Sequence, residues 1–405
     1  MSDSLPGIDI KREHPGATDI ARAAQIVEQV LGDAKRPIEL HEPSFGARER
    51  ELLSETIESG WVSSGGKFVN KFEEMIAARV GVKHGIATVN GTAALHTALM
   101  LAGVIPKDEV LVPAITFIAT ANAVSHAGAT PHFVDSSWDT LGLDPAALDR
   151  HLQDISELRG DTLVNKRTQR PIRAVIPVHV FGHPVAMDEL IAVAAKYRLS
   201  VIEDAAEAIG SSYRGKSCGS FGLCSALSFN GNKIITTGGG GMVLTSDDAV
   251  AKRARHITTT AKQPHPWEFF HDEVGYNYRL PNLNAALGCA QMERLDEWIA
   301  AKRRLAENYE SAFRDLKGVR FLSEPAGTKS NYWLNTIVFD ASEQDGKARD
   351  ALLKRLHQRQ IRARPVWKPM HLLPMYRDCP RANVPIAEAI YGRCVNLPSS
   401  PFLVK

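Results

Sequence analysis

With 405 residues, 44% of them hydrophobic and 23% charged, the chain has the make-up of a globular protein long enough for two domains. Its 48 basic and 46 acidic residues nearly cancel and form no long block of one sign, which argues against a nucleic-acid or anionic-membrane partner. Five scattered cysteines without C-x-x-C spacing, no signal peptide and no bilayer-length apolar run argue for a cytoplasmic protein with reduced thiols.

Residues 1–37 read as an N-terminal appendage, in which Ile20–Leu31 carries apolar residues at helical spacing and Pro37 ends the segment. His41-Glu-Pro-Ser-Phe-Gly46 is a turn-rich entry to a helix over Arg48–Glu58 that Gly60 stops. From Lys83 onward strands and helices alternate. Strands are predicted at Gly85–Val89, Glu109–Val112, Pro131–Val134, Arg173–Val178 and Leu199–Ile202. Helices are predicted at Thr92–Leu101, Thr116–His126, from Asp144-Pro145 to Leu152, and over Met187–Tyr197. This is an α/β pattern, a mostly parallel sheet covered by helices on both faces. Ligands of such sheets gather outside the carboxyl ends of the strands. That rule brings Asn90–Thr92, Pro113–Phe117, His179–His183, Glu203-Asp204 and the loop after Ser228 into one neighbourhood. Residues 38–280 form this large domain. Residues 281–405 form a smaller α+β unit, opening with a long helix over Pro281–Leu316 and continuing with a strand near Tyr332–Phe339 and a helix over Lys347–Arg359.

The chemistry centres on Ser225–Thr245, where an apolar run ends in Asn230-Gly231-Asn232 and Lys233 follows, ahead of four glycines. A lysine held between strands can act as a nucleophilic amine once its site lowers the pKa from about 10.4. Read alone, it is more simply a solvated loop lysine. A phosphate loop would need Gly immediately before the lysine, where Asn232 stands, and a dinucleotide-binding glycine pattern fails at Val243.

Asp204 ends an apolar strand, where a carboxylate is costly unless a cation pairs with it; the simpler reading is the N-cap of a helix over Ala205–Ile209. Asn90-Gly91-Thr92-Ala93 places small residues and a hydroxyl at a helix N-terminus suited to phosphate, or to plain capping. Phe117 can cover a flat ring or belong to the core. His179 and His183 have a metal-like spacing, but Gly182 and Pro184 interrupt any helix there, and no metal site is expected.

Together these residues resemble the DegT-like nucleotide-sugar aminotransferases, pyridoxal phosphate (PLP) enzymes of the aspartate-aminotransferase fold type. The matching stretches are Asn90–Leu95, Pro113–Thr120, Glu203–Gly210, Ser228–Lys233 with Thr237–Gly241, and Gly275–Arg279 with Ala285-Ala286, in family order from about Glu39 to Pro398. The resemblance implies that Lys233 forms the Schiff base with PLP and that Asp204 binds the pyridine nitrogen. It implies that Gly91, Thr92, Ala93 and Ser228 hold the phosphate and that Phe117 stacks on the ring. Glu207 stands where many relatives have Gln or His beside the phenolic oxygen. Asn277 would reach the phosphate from a second subunit, so the resemblance implies a homodimer with shared active sites.

The implied reaction is transamination of a nucleotide-linked 4-keto-6-deoxy sugar with L-glutamate. The wording of several motifs, Arg364-Pro-Val-Trp367 among them, looks most like the bacillosamine and legionaminic acid branch, whose substrate is UDP-4-keto-6-deoxy-N-acetylglucosamine. The alternative is GDP-4-keto-6-deoxymannose, as in perosamine synthesis. A sugar dehydratase would have His in place of Lys233, and a non-catalytic regulatory protein would not need the full set of cofactor residues. Trp61, Trp367 and His371 are candidates for lining the sugar pocket.

Overall fold

The computed structural model describes residues 18–343 and 345–404. The larger body is built on seven strands: β1 (His84–Thr88), β2 (Glu109–Pro113), β3 (Thr130–Val134), β4 (Ile172–Val175), β5 (Ser200–Asp204), β6 (Cys224–Ser228) and β7 (Gly241–Thr245). They lie in the order β1-β7-β6-β5-β4-β2-β3, and β7 runs antiparallel to both its neighbours while the remaining pairs are parallel. Alternate residues of one strand feed two different cores. Val110 and Val112 pack with Phe133, Ala174 and Ile202 on one face, and Leu111 packs with Val134, Val175 and Val201 on the other. The expected parallel sheet covered on both faces is therefore present, with strand boundaries moved by a few residues.

The helix after β1, Gly91–Leu101, is buried from Ala93 through Leu99, so its own apolar sequence places it inside the body rather than on the surface. Asp144 caps the helix Pro145–Ile155 as the sequence predicts, its carboxylate accepting from the Ala146 and Ala147 amides.

The smaller unit is an antiparallel sheet in the order Val319–Phe321, Asn335–Phe339, Cys394–Leu397, Arg364–Pro365. The single long helix expected over Pro281–Leu316 is two helices, Asn282–Met292 and Leu295–Phe313, separated at Glu293 and Arg294. Each half serves a different core. Ala285, Ala286 and Cys289 pack with Phe72 in the larger body, whereas Leu305, Tyr309 and Phe313 fill the core of the smaller one. The helix Ile20–Leu31 does not hang free: Ala23, Ala24, Val27 and Leu31 are buried in that same smaller core.

The turn Val180–Gly182 follows β4 and is fully buried, with Phe181 in the left-handed region at φ 55°. His179 is tied there through Nε2 to Glu203 Oε2 at 3.1 Å and accepts from the Val185 amide. His183 is buried with both ring nitrogens unpartnered among the described residues, and the two histidines do not converge on one point with acids. Burial lowers the His183 pKa from 6.5 to about 4. The unfolded chain therefore takes up this proton first, and stability falls as pH drops from about 7 towards 4. We expect His183→Leu to remove part of that slope, so that between pH 7 and 5 the variant loses about 1–2 kcal/mol less than wild type. Thermal melts of the two proteins at matched pH check this.

Candidate active site

Because β7 runs back beside β6, the chain between them must turn at the carboxyl edge of the sheet, and Lys233 lies on this connection. The turn is rigidly held. The Phe229 amide donates to Gly240 O (2.8 Å), Thr237 to Phe229 O (3.0 Å) and Lys233 to Asn230 O (3.0 Å). Ile234 and Ile235 are buried in the core, and the Trp333 indole donates to Asn232 O at 2.8 Å. A freely solvated loop lysine is excluded by this packing.

Lys233 Nζ lies 3.1 Å from Glu207 Oε1 and 3.8 Å from the centroid of the Trp333 ring. Glu207 Oε2 accepts from the Phe181 amide at 2.8 Å, which is one consequence of the left-handed turn described above. Asp204 ends β5 but caps no helix. Its Oδ2 accepts from Thr120 Oγ1 at 2.7 Å and its Oδ1 from the Ala206 amide at 3.2 Å. Burial pushes the carboxyls of both Asp204 and Glu207 up from the ordinary range, and Lys233 opposes the shift in each.

At the opposite wall stands the N-terminus of Gly91–Leu101. The Asn90 side chain accepts from Ala93 N at 2.8 Å, so Ala93, expected among the anion-binding residues, has its amide already occupied and does not line the cavity. Gly91 and Thr92 carry the first two helical amides, which lack acceptors within the helix. A Cβ on Gly91 would stand 2.9 Å from Ser228 Cβ, so only glycine lets the helix end and the Ser228 hydroxyl approach this closely.

One cavity of about 820 Å³ collects these groups: Gly91, Thr92, Phe117, Asp204, Glu207, Ser228, Lys233 and Trp367 all line it. Phe117 is 52% exposed and joins no core; its ring lies 6.2 Å from that of Trp367. Besides Ala93, three predicted residues fall outside it. Trp61 is 66% exposed and outside the cavity, because it follows the helix Ala47–Glu58 on the outer surface. His371 is turned into the protein, with Nε2 3.0 Å from Glu388 Oε1. Asn277 is exposed and also outside. Conversely, sequence reasoning did not single out Thr120, Phe181, Trp333 or His41, all of which line the cavity. Thr120 and His41 lie within quoted motifs, and Phe181 lies inside the His179–His183 stretch that the strand-end rule picks out; nothing in the local sequence marks Trp333.

The family model described as the DegT/DnrJ/EryC1/StrS aminotransferase family matches residues 43–405. The chain belongs to this family. It is 41% identical to the "Putative pyridoxal phosphate-dependent aminotransferase EpsN" of Bacillus subtilis (strain 168), over 90% of this chain and 91% of the relative. It is 40% identical to the GDP-perosamine synthase of Caulobacter vibrioides (strain ATCC 19089 / CIP 103742 / CB 15), over 88% of this chain and 91% of that protein. The solved structure of Helicobacter pylori PseC, an aminotransferase involved in the biosynthesis of pseudoaminic acid, superposes with a TM-score of 0.80 at 26% identity, covering 90% of this chain and 94% of that one. The family member described here is a PLP-dependent nucleotide-sugar aminotransferase with the aspartate-aminotransferase fold. Because a side chain at residue 91 would occupy the space between the helix end and Ser228, we expect Gly91→Val to weaken PLP binding about tenfold or more, on the scale of a lost charge-assisted contact. Titration with PLP, followed by absorbance, checks this, with a melting curve to show that the fold is retained.

Proposed function

We propose that this aminotransferase moves the amino group of L-glutamate to the 4-keto carbon of GDP-linked 4-keto-6-deoxymannose, and that it does so in the cytoplasm as a homodimer. The observation that carries the chemistry is the Lys233–Glu207 pair, 3.1 Å apart in the cavity that also holds the Asp204 carboxylate. The donor set fits PLP. Gly91, Thr92 and Ser228 offer amides and hydroxyls to a phosphate at a helix N-terminus. Asp204, costly to ionise where it lies, would hold the protonated ring nitrogen, and Thr120 fixes the carboxylate that does so. Phe117 would cover the ring. When bound, PLP supplies the electron sink for carbanion chemistry at the amino-bearing carbon. Lys233 Nζ is the base that takes and returns the proton, and Glu207 keeps that amine directed into the cavity while the Phe181 amide orients Glu207.

The GDP-linked sugar now ranks ahead of the UDP-linked N-acetyl sugar suggested by motif wording, because a relative 40% identical over most of both chains is named for GDP-perosamine. The UDP-linked sugar is the second reading, favoured by the wording of the Arg364-Pro-Val-Trp367 stretch, all four residues of which line the cavity. Amination rates for the two keto-sugar nucleotides, with glutamate as donor, separate them. We expect the GDP-linked sugar to be preferred by about tenfold or more, the range over which a single recognised group discriminates. A reversed ratio overturns the assignment.

Support for the homodimer comes from the surface. Trp267, Phe269 and Val274 are each at least 80% exposed on the segment that leads into Asn277. A monomer rarely leaves such a patch bare, and across a two-fold axis Asn277 would serve the partner's cavity rather than its own. Lys233→Ala and Asn277→Ala subunits should each be inactive or nearly so as homodimers. Mixed, they should recover up to about a quarter of wild-type activity, since in the random heterodimer one of two sites is intact. Activity assays on the mixture, and light scattering on the wild type, check this.

A further inference from the structure

We propose that His41 contacts the substrate, its imidazole hydrogen-bonding a hydroxyl of the hexose while the sugar nucleotide lies between Lys233 and the basic mouth of the cavity. The inference rests on the sugar-nucleotide reading, though not on which base the nucleotide carries.

His41 lines the cavity and is 8% exposed, yet neither Nδ1 nor Nε2 has a hydrogen-bond partner among the described residues. A buried polar group left unpaired is costly, so an imidazole with both nitrogens in that state calls for a missing partner. The backbone before and after His41 is held by hydrogen bonds. The Ile38 amide donates to Gln360 O (2.9 Å), Arg362 to Ile38 O (2.8 Å) and Ser399 to Leu40 O (2.8 Å). The Glu42 amide donates to Ser400 Oγ at 2.9 Å. The main chain that carries His41 is therefore held against the cavity wall.

The neighbours decide what the partner is. Burial lowers the His41 pKa well below 6.5, and the Lys302 and Lys233 ammonium groups lower it further; the nearby Asn232 backbone pulls the other way without making a hydrogen bond of acceptable geometry. His41 is therefore a neutral imidazole, one donor and one acceptor. A hydroxyl matches both functions. A carboxylate or phosphate offers acceptors alone and would leave one ring nitrogen unpaired. Anions have a better place nearby, since Arg362, Arg364 and Lys368 line the same cavity at its exposed edge, where Arg362 Nε lies 3.8 Å from Glu39 Oε1. His41 lines the cavity together with Lys233 and these basic residues. A diphosphate at the arginines and a keto carbon at Lys233 thus carry the sugar ring past His41.

The experiment compares wild type with His41→Phe, which keeps the ring volume and removes the hydrogen bonds, and His41→Asn, which restores one donor and one acceptor. The substrate is whichever of the GDP- and UDP-linked 4-keto-6-deoxy sugars the wild type aminates faster, so a wrong base assignment shows in the wild type and leaves the His41 comparison intact. We expect His41→Phe to raise the KM for the keto-sugar nucleotide at least tenfold, and His41→Asn to recover part of it. The rate at which glutamate alone converts the PLP absorbance should change less than threefold. An unchanged KM overturns the proposal. So does a loss of equal size in the glutamate reaction, which would mean that His41 acts on Lys233 or on the fold; if the Phe variant does not fold, the Asn variant decides by the same two measurements.

Discussion

Two buried carboxylates, Asp204 and Glu207, share one cavity with the amine of Lys233. Fully ionised, this trio is one positive charge short, and burial makes that imbalance expensive. The pKa directions express it: both carboxyls are pushed up, and Lys233 offsets the effect only in part. A cofactor with a protonated ring nitrogen, held as proposed above, would supply the missing charge at Asp204 and leave the Lys233–Glu207 pair balanced. The site is thus built to be completed, and much of the surrounding structure serves to hold the three groups against their own electrostatic cost.

That support crosses the boundary between the two bodies. The Asn331 side chain donates to the carbonyls of Glu207 and Ile209, at 2.8 and 3.0 Å. Ser211 Oγ and Ser330 Oγ both donate to the Gly182 carbonyl, holding the left-handed turn that presents the Phe181 amide to Glu207. Two residues on, Trp333 stacks beneath Lys233 and donates to the Asn232 carbonyl. Residues 330–333 therefore pin the base, its carboxylate partner and the loop that carries it. Any relative shift of the smaller unit would be felt at Lys233, which couples the geometry of the amine to the packing of the two bodies.

Read by itself, the sequence determined the architecture and the reactive centre. Short apolar strands alternating with helices leave few options but a parallel sheet, and the strand-end rule then collects Gly91, Thr92, Phe117, Asp204 and Lys233 at one edge. The tertiary structure decided the rest, for identifiable reasons. Ala93 sits in the right motif, but its amide is already paired with Asn90, a choice made by side-chain rotamer rather than residue type. His371 and Trp61 are of suitable chemistry, yet one points into Glu388 and the other out to solvent, and direction is not written in composition. The break at Glu293 and Arg294 arises because two helices of one apolar pattern must face different cores. Trp333 and His41 come to Lys233 from segments about a hundred and almost two hundred residues away, where only packing of the smaller body against the larger brings them into contact. Local pattern specifies which elements form; long-range packing specifies which side chains meet, because that depends on surfaces contributed by parts of the chain that carry no information about one another until they fold.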